Sequence, residues 1–285
     1  MNKLTYFPGC SAHGTSEEFD STLKLVMKTL DVQLDEIPDW NCCGATSAHV
    51  MTENLAFALP LRNLVLAEKL DNKTMGIACA SCYSRMKVTK KEMDEHPDLA
   101  QRINSTIIEE GEYKGSVDVQ SMLQYCYETI GLEKIKSKVT KSLAGLKVAC
   151  YYGCLLVRPH EILKFDREED PQTLDVLMLK AGATPIDWAF KTECCGAGLS
   201  VSRTKSVGRL SGKIMGDAKD RGAEAVIVAC PMCHSNLDMR REEINTYLGE
   251  KIDMPVLYIT QAIGLAIGLD RKALGLQRHF VKVTV

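Results

Sequence analysis

The chain has 285 residues, is 45% hydrophobic and 25% charged, and carries a formal net charge of −2; this is ordinary globular composition, enough for one large domain or two modest ones at about 100–200 residues each. No basic stretch interleaves with aromatics, which leaves nucleic-acid binding without compositional support. The opening MNKLTYFPGC reaches a Pro-Gly turn before an apolar signal core forms, and the longest apolar stretches are polar-interrupted and shorter than the about 20 residues of a span, so a soluble, cytoplasmic protein with no membrane segment is expected.

The predicted elements alternate along the chain. KLTYF reads as a strand and SEEFDSTLKLVMKTL as a helix with Ser16 near its start. VQLDEI is a second strand, and ATSAHVMTENLAFALPLRNLVLAEKL is helical, with Pro60 expected to break or kink it. TMGIAC is a third strand and SCYSRMKVTKKEMDEH a helix. The polar, mostly helical stretch from EHPDLAQ to KSLAG is expected to link the halves or pack between them. The order then recurs as KVACYY, DPQTLDVLMLKAG, TPIDW, TKSVGRLSGKIMGDAKDRG, AVIVAC and HSNLDMRREEINTYLG. Strands alternating with helices argue for an α/β fold with parallel sheets. The expectation is two duplicated units, residues 1–145 and 146–285, related by a pseudo-two-fold.

Twelve cysteines stand out in this frame. Cys10 precedes Cys42, Cys43 and Gly44, then Cys79 and Cys82. Cys154 precedes Cys194, Cys195 and Gly196, then Cys230 and Cys233. Each half reads C, CCG, CxxC, and the flanks repeat: LTYFPGC matches VACYYGC, and GIACASCYS matches VIVACPMCHS. This is internal duplication of a whole unit. Cys126 and Cys150 fall outside the pattern and read as small buried hydrophobes. Cys10, Cys79, Cys154 and Cys230 each follow a predicted strand. In open α/β sheets, sites form at the carboxyl ends of strands, so the five thiols of a half can converge there.

In a long chain without an export signal, such cysteines favour metal or redox chemistry over a disulfide framework. Structural zinc takes four ligands, and a cubane iron–sulfur cluster takes four thiolates. Five per half implies either a spectator or a cluster of another shape. In a turn, adjacent cysteines can clasp one cluster, with Gly44 or Gly196 supplying the tight backbone. Zinc with an idle fifth cysteine, in both halves or in one beside a cluster in the other, stays an alternative. A dithiol–disulfide machine needs no CCG.

These ten cysteines resemble the cysteine-rich CCG domain family, with one residue fewer before the second CxxC than before the first. The YFPGC opening and the tandem of two such domains are similar to the B subunits of heterodisulfide reductases. The resemblance implies two noncubane [4Fe–4S] clusters held by Cys10, Cys42, Cys43, Cys79 and Cys82, and by Cys154, Cys194, Cys195, Cys230 and Cys233. It implies catalytic reduction of the coenzyme M–coenzyme B heterodisulfide to two thiols, as in methanogenesis. Implied partners are the reductase's C subunit, with cubane clusters, its flavin-bearing A subunit, and a hydrogenase or formate dehydrogenase. The chain itself has no GxGxxG flavin fingerprint and no cubane CxxCxxCxxxCP run. The implied substrate carries a sulfonate and a phosphate, so His13, Arg158, Arg203 and Lys205 are candidate contacts by proximity to the cysteines. His234 follows Cys233 where Tyr83 follows Cys82, an asymmetry in the cluster surroundings. The alternative is an electron-transfer subunit of a glycolate or lactate oxidase, or of a thiol:fumarate reductase.

Overall fold

The computed structural model describes residues 2–45 and 48–285; Thr46 and Ser47, in the predicted helical region, lie outside the described residues. Two four-stranded sheets form, both parallel throughout. The first comprises β1 (Asn2–Phe7), β2 (Val32–Glu36), β3 (Thr74–Ile77) and β4 (Asp118–Ser121), in the order β2-β1-β3-β4. The second comprises β5 (Lys147–Tyr151), β6 (Thr184–Pro185), β7 (Ala225–Val228) and β8 (Val256–Tyr258), in the order β6-β5-β7-β8. The orders match strand for strand, as duplication requires. Covered on both faces, the central strands lose hydrophobic alternation: Ala225, Val226, Ile227 and Val228 are all buried.

The helices are α1 (Glu17–Thr29), α2 (Ala48–Met51), α3 (Glu53–Glu68), α4 (Ala80–Glu95), α5 (Pro97–Asn104), α6 (Met122–Gln124) and α7 (Leu132–Ser137) in the first half. The second half has α8 (His160–Leu163), α9 (Thr173–Lys180), α10 (Thr204–Asp220), α11 (Pro231–His234), α12 (Arg241–Leu248) and α13 (Ile259–Ala266). Wide π-type turns at Tyr125–Gly131 and Ser235–Met239 follow α6 and α11.

Two expectations need correction. Pro60 does not break its helix: α3 runs on through it. Proline removes the N–H that would bond the carbonyl four residues earlier, and here that carbonyl, on Ala56, accepts a hydrogen bond from Arg85 Nη2 at 2.6 Å. The stretch expected as a linker also supplies β4, which pairs with β3 from Thr74↔Asp118 to Ile77↔Ser121. Its sequence, Asp-Val-Gln-Ser, is too polar to read as a buried strand, but Val117 and Val119 are buried, and Ser121 Oγ accepts from the Gln124 N–H at 3.0 Å to start α6.

The halves exchange helices about the pseudo-two-fold. The helix that leads into the second strand of each half packs on the helices after the fourth strand of the other: α1 against α13, and α9 against α6 and α7. At the first contact Phe19 stacks on Tyr258 at 4.4 Å, and the Thr22 and Thr260 hydroxyls lie 3.0 Å apart, all buried. At the second, Lys180 bonds Glu133 at 2.6 Å. Each carboxyl edge is thereby turned toward the other.

Candidate metal centres between the halves

In a sheet ordered 2-1-3-4 the chain leaves β1 and β3 in opposite directions, which opens a crevice at their carboxyl ends. The cysteines occupy that point in both sheets. Cys10 opens the short 3-10 turn Cys10–His13 just after β1, and Cys79 is the N-cap of α4, with Cys82 in its first turn. Cys154 follows β5, and Cys230 is the N-cap of α11, with Cys233 inside it. The CCG turns arrive from the loops after β2 and β6. Asn63 pins the first one, exchanging hydrogen bonds with the Asn41 backbone at 2.9 Å each way. The second is tied to the sheet by the Tyr151 hydroxyl, which donates to the Glu193 carbonyl.

All ten repeat cysteines are free thiols. In the first half the Cys10 and Cys42 sulfurs lie 4.0 Å apart and those of Cys43 and Cys82 lie 3.0 Å apart. In the second, Cys195 and Cys233 are 3.6 Å apart, and all five cysteines line one small cavity of about 30 Å³. None of these separations is the about 2.05 Å of a disulfide. Across the pseudo-two-fold the Cys79 and Cys230 sulfurs lie 3.9 Å apart, both buried. Ala80 and Ser81 of the first half help to wall the second half's cavity.

The CCG glycines act as the motif suggests. Gly44 (φ +74°) directs its N–H at Cys42 Sγ at 3.4 Å, and Gly196 (φ +81°) does the same for Cys194 at 3.3 Å. These donors favour the thiolate. Cys42 is drawn down by hydrogen bonding from Cys10 first, with Cys43 and the Gly44 N–H adding to it. Cys194 falls to about 6 through Cys154, with help from the Gly196 and Ala197 N–H groups against the opposing effect of burial. Their partners Cys10 and Cys154 are raised, first by those same hydrogen bonds. Cys43 is pushed up to about 11 by Cys42. Cys230 is lowered by the Cys233 and Cys79 thiols, and the Ala80 N–H from the other half assists. In each half the CCG turn thus favours the thiolate, the form that binds metal, at its first cysteine.

Cys126 and Cys150 enter neither set. Cys126 is buried in the turn after α6, where burial pushes its thiol up to about 12. Cys150 is fully buried within β5 and likewise raised by burial.

A cleft of about 650 Å³ opens beside the second set, lined by Ser11 and Thr15 from the first half and by Ser200, Met232, Asn236 and Arg240 among others from the second. Of the four cations expected near the substrate, none lines it. His13 is exposed, 3.4 Å from a Glu36 carboxylate and edge-on to Trp40. Arg158 is held by Glu169 at 2.9 Å and the Thr192 carbonyl at 3.2 Å. Arg203 and Lys205 sit exposed at the start of α10. His234 is buried, stacked on Tyr258 at 4.0 Å, and its pKa is lowered by burial.

Sequence reasoning passed over Arg240, Asn236 and Arg85. Asn236 Nδ2 donates to the Cys195 carbonyl at 3.0 Å and lies 3.8 Å from its sulfur. Arg85 occupies the same place in the first half: each stands three residues after the second cysteine of its CxxC, one helical turn on. That shared offset was available in the sequence.

Two observations test whether a metal cluster suits these residues. Gly9 (φ +78°) and Gly153 (φ +71°) face the bowls bare: a Cβ on them would come within 3.3 Å of Cys82 Sγ and 3.0 Å of Cys233 Sγ. Arg85 has a buried Nε without a hydrogen-bond partner and no carboxylate within ion-pair distance among the described residues. A buried cation is costly unless paired. An anionic thiolate-bound cluster beside Cys43 supplies the missing charge, so the residues fit such a group.

Comparison with known proteins agrees with this geometry. The chain is 30% identical over its whole length to the membrane anchor subunit of the 8-methylmenaquinol:fumarate reductase of Wolinella succinogenes, covering 99% of that protein. It is 31% identical, over 99% of its length and 95% of the relative, to the B subunit of the ferredoxin/F420H2-dependent CoB–CoM heterodisulfide reductase of Methanosarcina acetivorans. Among solved structures, a hypothetical protein from Helicobacter pylori superimposes with a TM-score of 0.79 at 14% identity; 99% of this chain matches 52% of that one, a likeness of fold. No helix among the described residues is long and apolar enough to cross a membrane. The cysteine-rich CCG domain profile matches twice, at residues 4–87 and 148–238; the chain belongs to the CCG cysteine-rich domain family.

Proposed function

We propose that this chain is the substrate-reducing iron–sulfur component of a multisubunit oxidoreductase. Its ten repeat cysteines hold two noncubane [4Fe–4S] clusters, and its substrate is a disulfide of the coenzyme M–coenzyme B type. One observation carries the reading: two five-thiol sets meet across a pseudo-two-fold, with Cys79 and Cys230 only 3.9 Å apart. When bound, an iron–sulfur cluster supplies one-electron storage, and splitting a disulfide into two thiolates takes two electrons. Two facing sites match that count.

The chain's own residues supply the rest. Gly44 and Gly196 fix the CCG turns and direct their N–H groups at the Cys42 and Cys194 sulfurs, which favours the thiolate at each. Tyr152 and Asp175 brace the second set from behind: the Tyr152 hydroxyl donates to Asp175 at 2.6 Å, while the Tyr152 and Gly153 N–H groups donate to the Lys191 carbonyl. Arg240, half-buried beside the cleft, donates to the Ser200 carbonyl at 2.7 Å and lies 3.6 Å from the Glu243 carboxylate, so an anionic substrate entering there would share the guanidinium with Glu243. The electron donor is another polypeptide, in keeping with relatives that are named as subunits.

The similarity to a fumarate reductase component, at 30% over the full chain, supports a second reading. There the chain passes electrons between a quinol-oxidising partner and a fumarate-reducing one and has no disulfide substrate. Anaerobic reconstitution, metal analysis and two assays separate them. The first reading expects about eight irons per chain and reduction of the heterodisulfide by reduced methyl viologen. Full iron content without disulfide reduction, together with bleaching of the clusters by fumarate through a partner protein, supports the second. Zinc in place of iron overturns both.

A further inference from the structure

The two halves repeat their cysteines but not the charge beside them. Arg85 and Asn236 hold equivalent positions, each three residues past a CxxC. Asn236 is buried and satisfied: its amide donates to the Cys195 carbonyl, reaches the Cys195 sulfur at 3.8 Å, and its oxygen accepts from Ser200 at 2.6 Å. Arg85 is neither satisfied nor neutralised. Nη2 is engaged by the Ala56 carbonyl that Pro60 leaves free, Nε is buried without a partner, and no carboxylate lies within ion-pair reach among the described residues. Equivalence with Asn236 puts it on the Cys43 side of the first bowl.

From this pairing we infer that Arg85 is the counter-charge of the amino-terminal cluster and makes that centre the more readily reduced of the two. The inference rests on the iron–sulfur reading above. Adding an electron makes a thiolate-bound cluster more anionic, so a nearby fixed cation favours the reduced form. The carboxy-terminal centre has the neutral Asn236 amide in the matching place, and the cation that lines its cleft, Arg240, is paired with Glu243 at 3.6 Å. One contact pulls the other way: the Ala80 N–H reaches Cys230, while its counterpart Pro231 has no N–H to give Cys79. A full fixed charge acts over a longer range than one neutral N–H donor, and the low dielectric around a half-buried guanidinium preserves its effect. Arg85 therefore sets the order. The first electron settles in the amino-terminal centre and the second in the carboxy-terminal one, on opposite sides of the Cys79–Cys230 contact.

The test is a potentiometric titration followed by EPR, with dithionite as the electron source, on the reconstituted full-length chain. Wild type is compared with Arg85→Gln, Arg85→Lys and Ala80→Pro. Proline is well tolerated at the first position of a helix, which Ala80 occupies in α4. Two resolved one-electron waves are expected in wild type. Arg85→Gln should lower the higher wave by at least a tenfold change in its reduction equilibrium, about 59 mV for one electron, and leave the lower wave in place. Arg85→Lys should restore it. Ala80→Pro should lower the lower wave and widen the gap. If Arg85→Gln keeps full iron and moves the lower wave, or neither, the inference is overturned. Loss of about half the iron in Arg85→Gln but not in Arg85→Lys supports a required charge; equal loss in both makes Arg85 a prop for Ala56 and overturns it. Wild type that binds no iron defeats the underlying iron–sulfur reading instead, before Arg85 is at issue.

Discussion

Replacing Gly153 by alanine perturbs the second bowl with the smallest possible side chain. The backbone there has φ +71°, and the new Cβ would stand 3.0 Å from Cys233 Sγ. Holding an L-residue in the left-handed region costs roughly 1–2 kcal/mol. About 1 kcal/mol moves Tm by about 2–4 °C in chains of about 150–250 residues, so strain alone lowers Tm by a few degrees. The close contact adds something strain does not: it pushes Cys233 out of place, or fills the space between the sulfurs. Gly222 is the control, since its φ is +78° and nothing lies within 4 Å of the place an added methyl would take. Differential scanning calorimetry and iron analysis on both variants separate the effects. Both should melt a few degrees early, and only Gly153→Ala should lose about half its iron. Full iron in Gly153→Ala, or an equal loss in Gly222→Ala, would refute the idea that this glycine keeps room for a cluster.

Further outcomes follow from the same geometry. Cys126→Ser should leave the iron content near wild type, whereas Cys43→Ser, at a sulfur 3.0 Å from Cys82, should lose or alter one cluster as judged by metal analysis and EPR. Cys82→Ser and Cys233→Ser should each abolish most disulfide reduction, and the double variant should be hardly worse, because residues acting as a unit are non-additive; one single variant that keeps substantial turnover would make the halves independent. Lys191 is buried between Asp170 at 2.8 Å and Asp175 at 3.2 Å. Lys191→Met strands the buried Asp175 carboxyl and should cost about 3–5 kcal/mol in urea denaturation, with Asp175→Asn in the same chain recovering much of it; a loss under about 1 kcal/mol would mean that the pair does not brace the Tyr152–Cys154 loop.

The duplication, the ten repeat cysteines and the strand-to-helix junctions that carry them are legible in the amino-acid order alone. These are local facts. A strand of buried residues, an N-cap and a glycine at positive φ each depend on a few neighbouring residues, so their signatures survive in the sequence. The parallel sheets followed from the alternation of elements, and the exclusion of Cys126 and Cys150 from the repeat. Two strands escaped: β4 is mostly polar, Asp-Val-Gln-Ser, within a polar stretch, and β8, three residues long, runs straight into the apolar helix α13. Pro60 misled because its effect depends on a partner for the Ala56 carbonyl, and that partner, Arg85, comes from another helix. What meets across long separations depends on packing. It brings Cys79 within 3.9 Å of Cys230, 151 residues away, and it exchanges helices so that two carboxyl edges face each other. It commits Arg158 to Glu169 while leaving Arg85 without a counter-charge among the described residues. A cation's role depends on which groups packing brings within a few ångströms, and Coulomb attraction falls with that distance, not with position along the chain.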